Sequence, residues 1–305
     1  MNELNFFERN ARYIVLIAVV IGAFSGNFAR LTEAPPMVIG FYRLLFSLPF
    51  FIAVDAFSRR KERRPFKVSK KEALFSFLAA AGLYGHYMCW FAAVKMTNMA
   101  AAATLESLHP LTVLIVSLLF FHRKVGWKAV LGIIIALTGG VIASGNGLSF
   151  SGAELAGDLL AFASGVSLAF YFIFSKHIRS RGMGANTFVL TCFSICCALF
   201  FFTMIATGTP FGGYRPVDFA YILGMALLCQ IGAHALISWA LGYVSDLYVS
   251  TWQTFEGVVT IIIAFFIFKE APAPVQIAGC IVAFGGLLLY NLDAQVDWDD
   301  GSGRG

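Results

Sequence analysis

Ten stretches of the sequence are apolar for roughly the 20 residues a helix needs to cross a hydrocarbon core: 12–29, 36–57, 73–94, 99–121, 127–145, 155–176, 186–207, 217–239, 245–268 and 274–292. A chain with that pattern has few options. In lipid every backbone N–H and C=O must be bonded internally, and single runs of this length manage that only as helices. The composition agrees. Of the 305 residues 59% are hydrophobic and 13% are charged, whereas soluble domains carry about 25% charged residues. A soluble fold could not cover this much apolar surface. The expected fold is therefore an all-α membrane protein with ten transmembrane helices. The breaks between runs carry turn residues: Pro35-Pro36, Gly145-Asn146-Gly147, Gly182 to Gly184, Gly212-Gly213, and Pro272 with Pro274.

Positive charge sets the direction. With the N-terminus inside, the inner face holds Arg9, Arg12 and the cluster Arg59, Arg60, Lys61, Arg63, Arg64, Lys67, Lys70 and Lys71. It also holds Arg123, Lys124, Lys128, Lys176, Arg179 and Arg181, while the outer face has only Arg30, Lys95, Arg215 and Lys269. Both termini are expected to be cytoplasmic, in a bacterial-type inner membrane. The net charge of +5 is thus an orientation signal and gives no sign of nucleic acid as a partner. The 59–71 run could also meet anionic lipid. The opening MNELNFFERNARYIV reads as a cytoplasmic lead into a true membrane helix rather than a cleaved signal. Residues 293–305 form a polar, acidic tail whose closing GSGRG has the character of an appended remnant. Cys89, Cys192, Cys196, Cys197, Cys229 and Cys280 all lie in apolar runs without CxxC spacing, so neither a metal site nor a disulfide framework is expected. No cofactor is called for.

The chain also says one thing twice. Residues 82–132 and 230–279 share an order of parts: a Gly-His apolar helix, a short polar break, a helix carrying an acid, an aromatic-aliphatic run, a charged turn and a Gly-containing helix. His86 falls opposite His234, and Gly132 opposite Gly279. Ten helices then divide into two repeats of five, 12–145 and 155–292. An odd number per half makes the second half enter the membrane upside down, the inverted-topology arrangement of many carriers.

Ionisable groups inside a membrane are costly and mark candidate functional sites. Glu106 falls in the fourth run and Glu256 in the ninth. His109 lies three residues after Glu106, on nearly the same helix face, and Pro110 removes a backbone donor there. His86, Tyr87 and Trp90 share a face of the third helix. Gln230 and His234 do so on the eighth, and Trp252, Gln253 and Glu256 on the ninth. Phe24 with Asn27, and Ser167 with Tyr171, extend the first and sixth. These faces could converge on a midplane cavity of rings, imidazoles and carboxyls, suited to a substrate with an amine and an apolar body. Single aromatics and histidines also serve as packing and helix-helix bonding groups. Arg43 reads as a structural group paired with an acid or with carbonyls, and Gly22-xxx-Gly26 as a close helix contact. A Glu beside a His can take up and release protons, so Glu106, Glu256, His86 and His234 are the coupling candidates.

Several segments resemble the drug/metabolite transporter superfamily, in its EamA-like ten-helix branch. They are FYRLLFSLP (Phe41–Pro49), AAAATLESLHPL (Ala100–Leu111), and FIFKE (Phe266–Glu270) followed by a helix with Gly285-Gly286. The resemblance covers essentially all of 12–292. It matches an Arg of the second helix with Arg43, a Pro of the fourth with Pro110 and a Glu closing the ninth with Glu270. It departs at Phe255-Glu256-Gly257, where a second Pro is frequent, and at Arg123, where a Glu is frequent. The resemblance implies a secondary transporter of small metabolites or amino acids, often an exporter.

The expected function is therefore alternating-access export of an amino acid or amine-bearing compound. Its partners would be the substrate, the bilayer and possible coupling protons. A choline-like organic cation is the alternative substrate. A phosphorylated-sugar or nucleotide-sugar carrier would need convergent Lys or Arg, and the spans offer mainly Arg43, with Lys95 at a helix end. An enzyme would need a metal or nucleophile constellation, and no HExxH or GxSxG element is present.

Overall fold

A computed structural model places residues 10–62, 68–121, 126–143, 152–179, 181–240, 252 and 255–294. Among these residues the chain is helical, with no strand. Its helices are α1 (Ala11–Gly22), α2 (Phe24–Leu31), α3 (Pro36–Glu62), α4 (Lys70–Met96), α5 (Met99–Glu106), α6 (His109–Phe121) and α7 (Trp127–Ala143). They continue with α8 (Ala153–Arg179), α9 (Ala185–Thr207) and α10 (Pro216–Gly224), a π-helical segment (Met225–Ala233), α11 (His234–Ala240), α12 (Glu256–Phe268) and α13 (Pro274–Ala294). Among the described residues, six stretches are long and apolar enough to cross a membrane: Ala11–Leu31, Pro36–Lys61, Lys70–Met96, Ala153–Ser175, Ala185–Thr207 and Pro216–Ala233. Trp127–Ala143, Glu256–Phe268 and Pro274–Tyr290 are shorter apolar helices.

Local chemistry sets the boundaries. Ser69 and Glu72 form a reciprocal capping box at the start of α4, with Ser69 N–H donating to Glu72 Oε2 at 2.6 Å. Asn98 caps α5 by accepting from Ala101 N–H at 2.8 Å. Gly208, at φ 67°, ends α9 in the left-handed conformation that only glycine adopts without strain. The outer surface is apolar, with Tyr13, Phe57, Trp127, Phe202 and Ile281 among the exposed large side chains. Such an exterior calls for lipid rather than water.

The 99–121 run, expected as one helix, is broken. α5 stops at Glu106 and α6 starts at His109. Pro110 has no N–H to give to the Glu106 carbonyl four residues back. The chain instead steps through i→i−3 bonds, Leu108 N to Leu105 O at 3.3 Å and Leu111 N to Leu108 O at 2.9 Å. The first run is likewise divided at Ala23 between α1 and α2, and the eighth passes through the π-helical segment. Of the ninth run, residues 245–251 lie outside the described residues, and its helix α12 begins at Glu256.

The helix pairing is nearly unchanged when the two halves are exchanged. α4 packs on α8, and α1 correspondingly on the π-helical segment and α11. α3 pairs with α9, α5 with α12 and α7 with α13. The α7–α13 seam brings backbone against backbone. A Cβ on Gly139 would lie 2.2 Å from Ala283 N, on Gly279 2.3 Å from Ala143 N, on Gly286 2.5 Å from Ala136 N, and on Gly132 2.6 Å from Tyr290 N. The opposed glycines of the repeat, Gly132 and Gly279, thus share one seam. In lipid, where no hydrophobic force drives helices together, small residues allow this close packing.

Polar ties join the halves near the helix ends. Asp55 of α3, fully buried, accepts from Thr187 Oγ1 of α9 at 2.6 Å and from Arg59 Nε at 2.7 Å. At the other end Arg30 pairs with Glu270. Arg215 bonds both Glu33, at 2.7 Å, and Asp218, at 3.0 Å. The hydrogen bond to the Asp218 carboxylate pushes the Arg215 guanidinium above its ordinary range. All six cysteines are free.

Candidate functional site

The interrupted helices meet around a cavity of about 480 Å³. Its described wall residues come from every helix except α7, α10 and α13. α1 and α2 give Gly22, Ser25 and Gly26, α3 gives Arg43, and α4 gives His86, Tyr87 and Trp90. Glu106, Ser107, His109 and Pro110 come from the α5–α6 break, and α8 gives Tyr171 and Phe172. Phe193 comes from α9, Cys229 and Gln230 from the π-helical segment, His234 from α11, and Glu256, Gly257 and Thr260 from α12.

Small residues make the cavity possible. A Cβ on Gly26 would fall 2.7 Å from Trp90 Cζ2, and one on Gly22 would fall 2.9 Å from Glu256 Oε1. The two predicted packing glycines therefore seat a ring and a carboxyl of the cavity wall. Gly165 of α8 presses on the break itself, since its Cβ would lie 2.5 Å from the Glu106 carbonyl oxygen.

The polar groups fall into three sets. Arg43 donates from Nε to Gln230 Oε1 at 2.7 Å and from Nη1 to Ser25 Oγ at 2.6 Å. Its guanidinium lies 4.8 Å from the Tyr87 ring centre, and the Tyr87 hydroxyl donates to the same Gln230 oxygen at 3.0 Å. The second set surrounds His86, whose Nδ1 is 2.8 Å from Ser164 Oγ and 4.0 Å from Glu106 Oε1. The third is the pair of carboxyls. Neither the Glu106 nor the Glu256 side chain makes a hydrogen bond to a described residue, and both line the cavity. Helix ends treat the two differently: Glu106 closes α5 at the negative end of its dipole, and Glu256 opens α12 at the positive end. His109 Nδ1 is buried without a hydrogen-bond partner among the described residues.

Most of the predicted residues thus come together: His86, Tyr87, Trp90, Glu106, His109, Tyr171, Gln230, His234 and Glu256, with Arg43, Pro110, Gly22 and Gly26. Four predicted residues lie elsewhere. Ser167 of α8 packs against Gly85 of α4, where a Cβ would lie 3.0 Å from the Ser167 hydroxyl oxygen. Phe24 packs against Phe28, with ring centres 5.7 Å apart. Asn27 is fully buried and donates to the carbonyls of Ala23 at 3.1 Å and Thr260 at 3.3 Å, joining α2 to α12. Trp252 packs near Val15, Val19 and Ala240. Gln253 lies outside the described residues. Arg43 donates to the side-chain carbonyl oxygen of Gln230 and to the Ser25 hydroxyl, both neutral groups, and it stands on the cavity wall. Ser25, Ser107, Phe193, Cys229 and Thr260 were not anticipated. Thr260, four residues beyond Glu256, could have been found from helical spacing alone. Among the described residues no group of three or more His, Cys, Asp and Glu could hold a metal ion.

The sequence pattern of the EamA-like transporter family matches residues 11–145 and again residues 155–292. Two proteins of Archaeoglobus fulgidus, each called an uncharacterized transporter, are similar along nearly their whole length. One is 24% identical over 290 residues, covering 92% of this chain and 97% of its own. The other is 27% identical over 278 residues, covering 90% and 94%. A protein of known crystal structure shares the fold with a TM-score of 0.64 at 17% identity, over 93% of this chain and 98% of that one.

Proposed function

The chain belongs to the EamA-like transporter family, and from that premise we propose that it is a secondary active transporter exporting an amino acid or an amine-bearing metabolite. It is a multi-pass membrane protein. In this reading ten spans form two inverted repeats of five, with both termini cytoplasmic. The near-invariance of the helix pairing on exchange of halves supports that arrangement. Alternating access then follows from rocking one half against the other around a central site.

The observation that carries the substrate class is the cavity's pair of carboxyls, Glu106 and Glu256, set among rings and free of hydrogen bonds to described residues. A cationic amine would supply the missing donors. The faces of Tyr87 and Trp90 would add their quadrupole attraction, and the remaining volume suits an apolar body. The same carboxyls favour a second reading, transport of a choline-like organic cation. A phosphate-ester carrier fits less well, because Arg43 is the only lysine or arginine among the described residues of the wall. Protons are the proposed coupling ion, exchanged through Glu106 and Glu256, with His86 4.0 Å from Glu106.

Purified protein in proteoliposomes tests this reading. Saturable counterflow of amino acids or amines is the expected result. Counterflow of phosphate esters alone, or unsaturable ohmic current, would overturn it. Thermal shift against the same compounds gives the substrate class independently, because a bound ligand stabilises by mass action.

A further inference from the structure

Arg43 is 7% exposed on the cavity wall, yet its hydrogen bonds go to neutral groups. A guanidinium has five N–H donors. Gln230 and Ser25 take one from Nε and one from Nη1, and among the described residues Nη2 donates to nothing. No described carboxylate lies within 4.0 Å of it in an ion pair. The head group is nevertheless fixed in plane. Gln230 and Ser25 hold two of its edges, and the Tyr87 and Phe91 rings stand 4.8 and 5.9 Å from it. A fixed, desolvated cation without a counterion is costly, and these supports hold it in place rather than neutralise it. The Gln230 that orients it belongs to the π-helical segment, a distortion that frequently marks functional sites.

We infer that Arg43 is the receptor for a carboxylate on the substrate, so that the site selects zwitterions over simple cations. This rests on the proposed amino-acid or amine reading and narrows it. With Nε given to Gln230 and one Nη1 N–H to Ser25, the second Nη1 N–H and the Nη2 group remain for the two oxygens of a carboxylate, the bidentate geometry in which Arg exceeds Lys. An α-amino acid carries its ammonium one carbon from that carboxylate. Glu256, on the wall of the same cavity, is the acceptor for the ammonium. The side chain is left toward Trp90 and Phe193. Arg43 is thus a specificity residue for the substrate, with Gln230 and Ser25 as its positioning residues.

The test uses leucine and phenylalanine, each alongside its decarboxylated amine and its carboxamide, measured by thermal shift and counterflow on the full chain. Wild type is expected to bind each amino acid at least tenfold more tightly than its amine or amide. In Arg43→Gln, amino-acid affinity should fall at least tenfold, to the level of the amine, while the amine's affinity stays within about twofold. Arg43→Lys should fall between, because it keeps the charge and loses the fork. If the amine or amide binds wild type as tightly as the amino acid, or Arg43→Gln weakens acid and amine equally, the carboxylate role is wrong and the amine reading survives. If neither amino acids nor amines bind, the transport reading itself fails and this inference falls with it. The wild-type ligand series decides the matter even if the variant does not fold.

Discussion

Gly285 and Gly286 are neighbours in α13 with opposite surroundings, and replacing each by Ala should have opposite effects. A Cβ on Gly285 would meet nothing within 4 Å, whereas one on Gly286 would lie 2.5 Å from both Ala136 N and the Gly132 carbonyl oxygen. Those atoms are backbone, so no rotamer change relieves the clash. α7 and α13 would have to part by about 1 Å to restore an ordinary contact of about 3.5 Å. If roughly 30 atom pairs along the seam each lose about a third of a ~0.15 kcal/mol well, the loss is ~1.5 kcal/mol. Overpacking measured in other cores costs about 1–3 kcal/mol. Helix propensity works the other way, favouring Ala over Gly by up to about 1 kcal/mol at either position. Gly285→Ala should therefore be neutral or slightly stabilising, and Gly286→Ala destabilising by about 1–2 kcal/mol, a fall of a few degrees in Tm at ~2 °C per kcal/mol. Thermal unfolding in one detergent, with reversible unfolding in mixed micelles for the free energy, measures both. Neither helix lines the cavity, so substrate affinity should be unchanged in both variants. Equal effects of the two substitutions would refute the backbone-contact account of the seam.

Two further expectations concern acids. Asp55→Ala removes a fully buried carboxylate that accepts from Thr187 and Arg59; it should destabilise by about 2 kcal/mol, and Asp55→Asn, which keeps an acceptor for Thr187, by clearly less. A loss under about 0.5 kcal/mol for the alanine variant in the same unfolding assay would show that this α3–α9 tie contributes nothing. Glu106→Gln and Glu256→Gln cannot release a proton, so the pH dependence of counterflow should flatten in each. Full retention of the wild-type pH profile in both variants would exclude proton coupling through these groups.

Hydropathy alone located α3, α4, α8 and α9, because long apolar runs in lipid have no alternative to helix. It underestimated α4, which begins at Lys70 because the Ser69–Glu72 capping box extends the helix past the apolar run. Hydropathy is also blind to breaks, since an interrupted helix and a continuous one present the same apolar average. The α5–α6 break had a legible cause in Pro110. The π-helical segment at Met225–Ala233 had none. Face spacing grouped His86, Tyr87 and Trp90, and likewise Gln230 and His234, and each group does share the cavity wall. It went astray at Phe24 and Asn27 for a physical reason. Spacing says which residues lie together on a helix, but the direction of that face is set by neighbouring helices, and an apolar helix gives no polar side to orient it. Asn27 turned to the Thr260 carbonyl. For Arg43 the charge was evident in the sequence, but its particular companions, Gln230 and Ser25, were not.

The irregular backbone is not a failure to pack. The same chain lays α7 against α13 with backbone in contact along the whole seam, and four glycines suffice to do it. The bend at Ala23, the step at Ser107-Leu108, the π-helical segment and the start of α12 at Glu256 all border the cavity instead. Each leaves backbone groups outside regular helical bonding, which hydrocarbon would penalise and a polar cavity can satisfy. Glycines on neighbouring helices then press on these points, Gly22 on the Glu256 carboxyl and Gly165 on the Glu106 carbonyl. A small rearrangement at the step after Glu106 or at the start of α12 would move a carboxyl at the cavity wall. The seam between α7 and α13 has no such freedom. In the proposed transport cycle, binding and movement would therefore share the interrupted helices, with the uninterrupted pair as the frame against which they move.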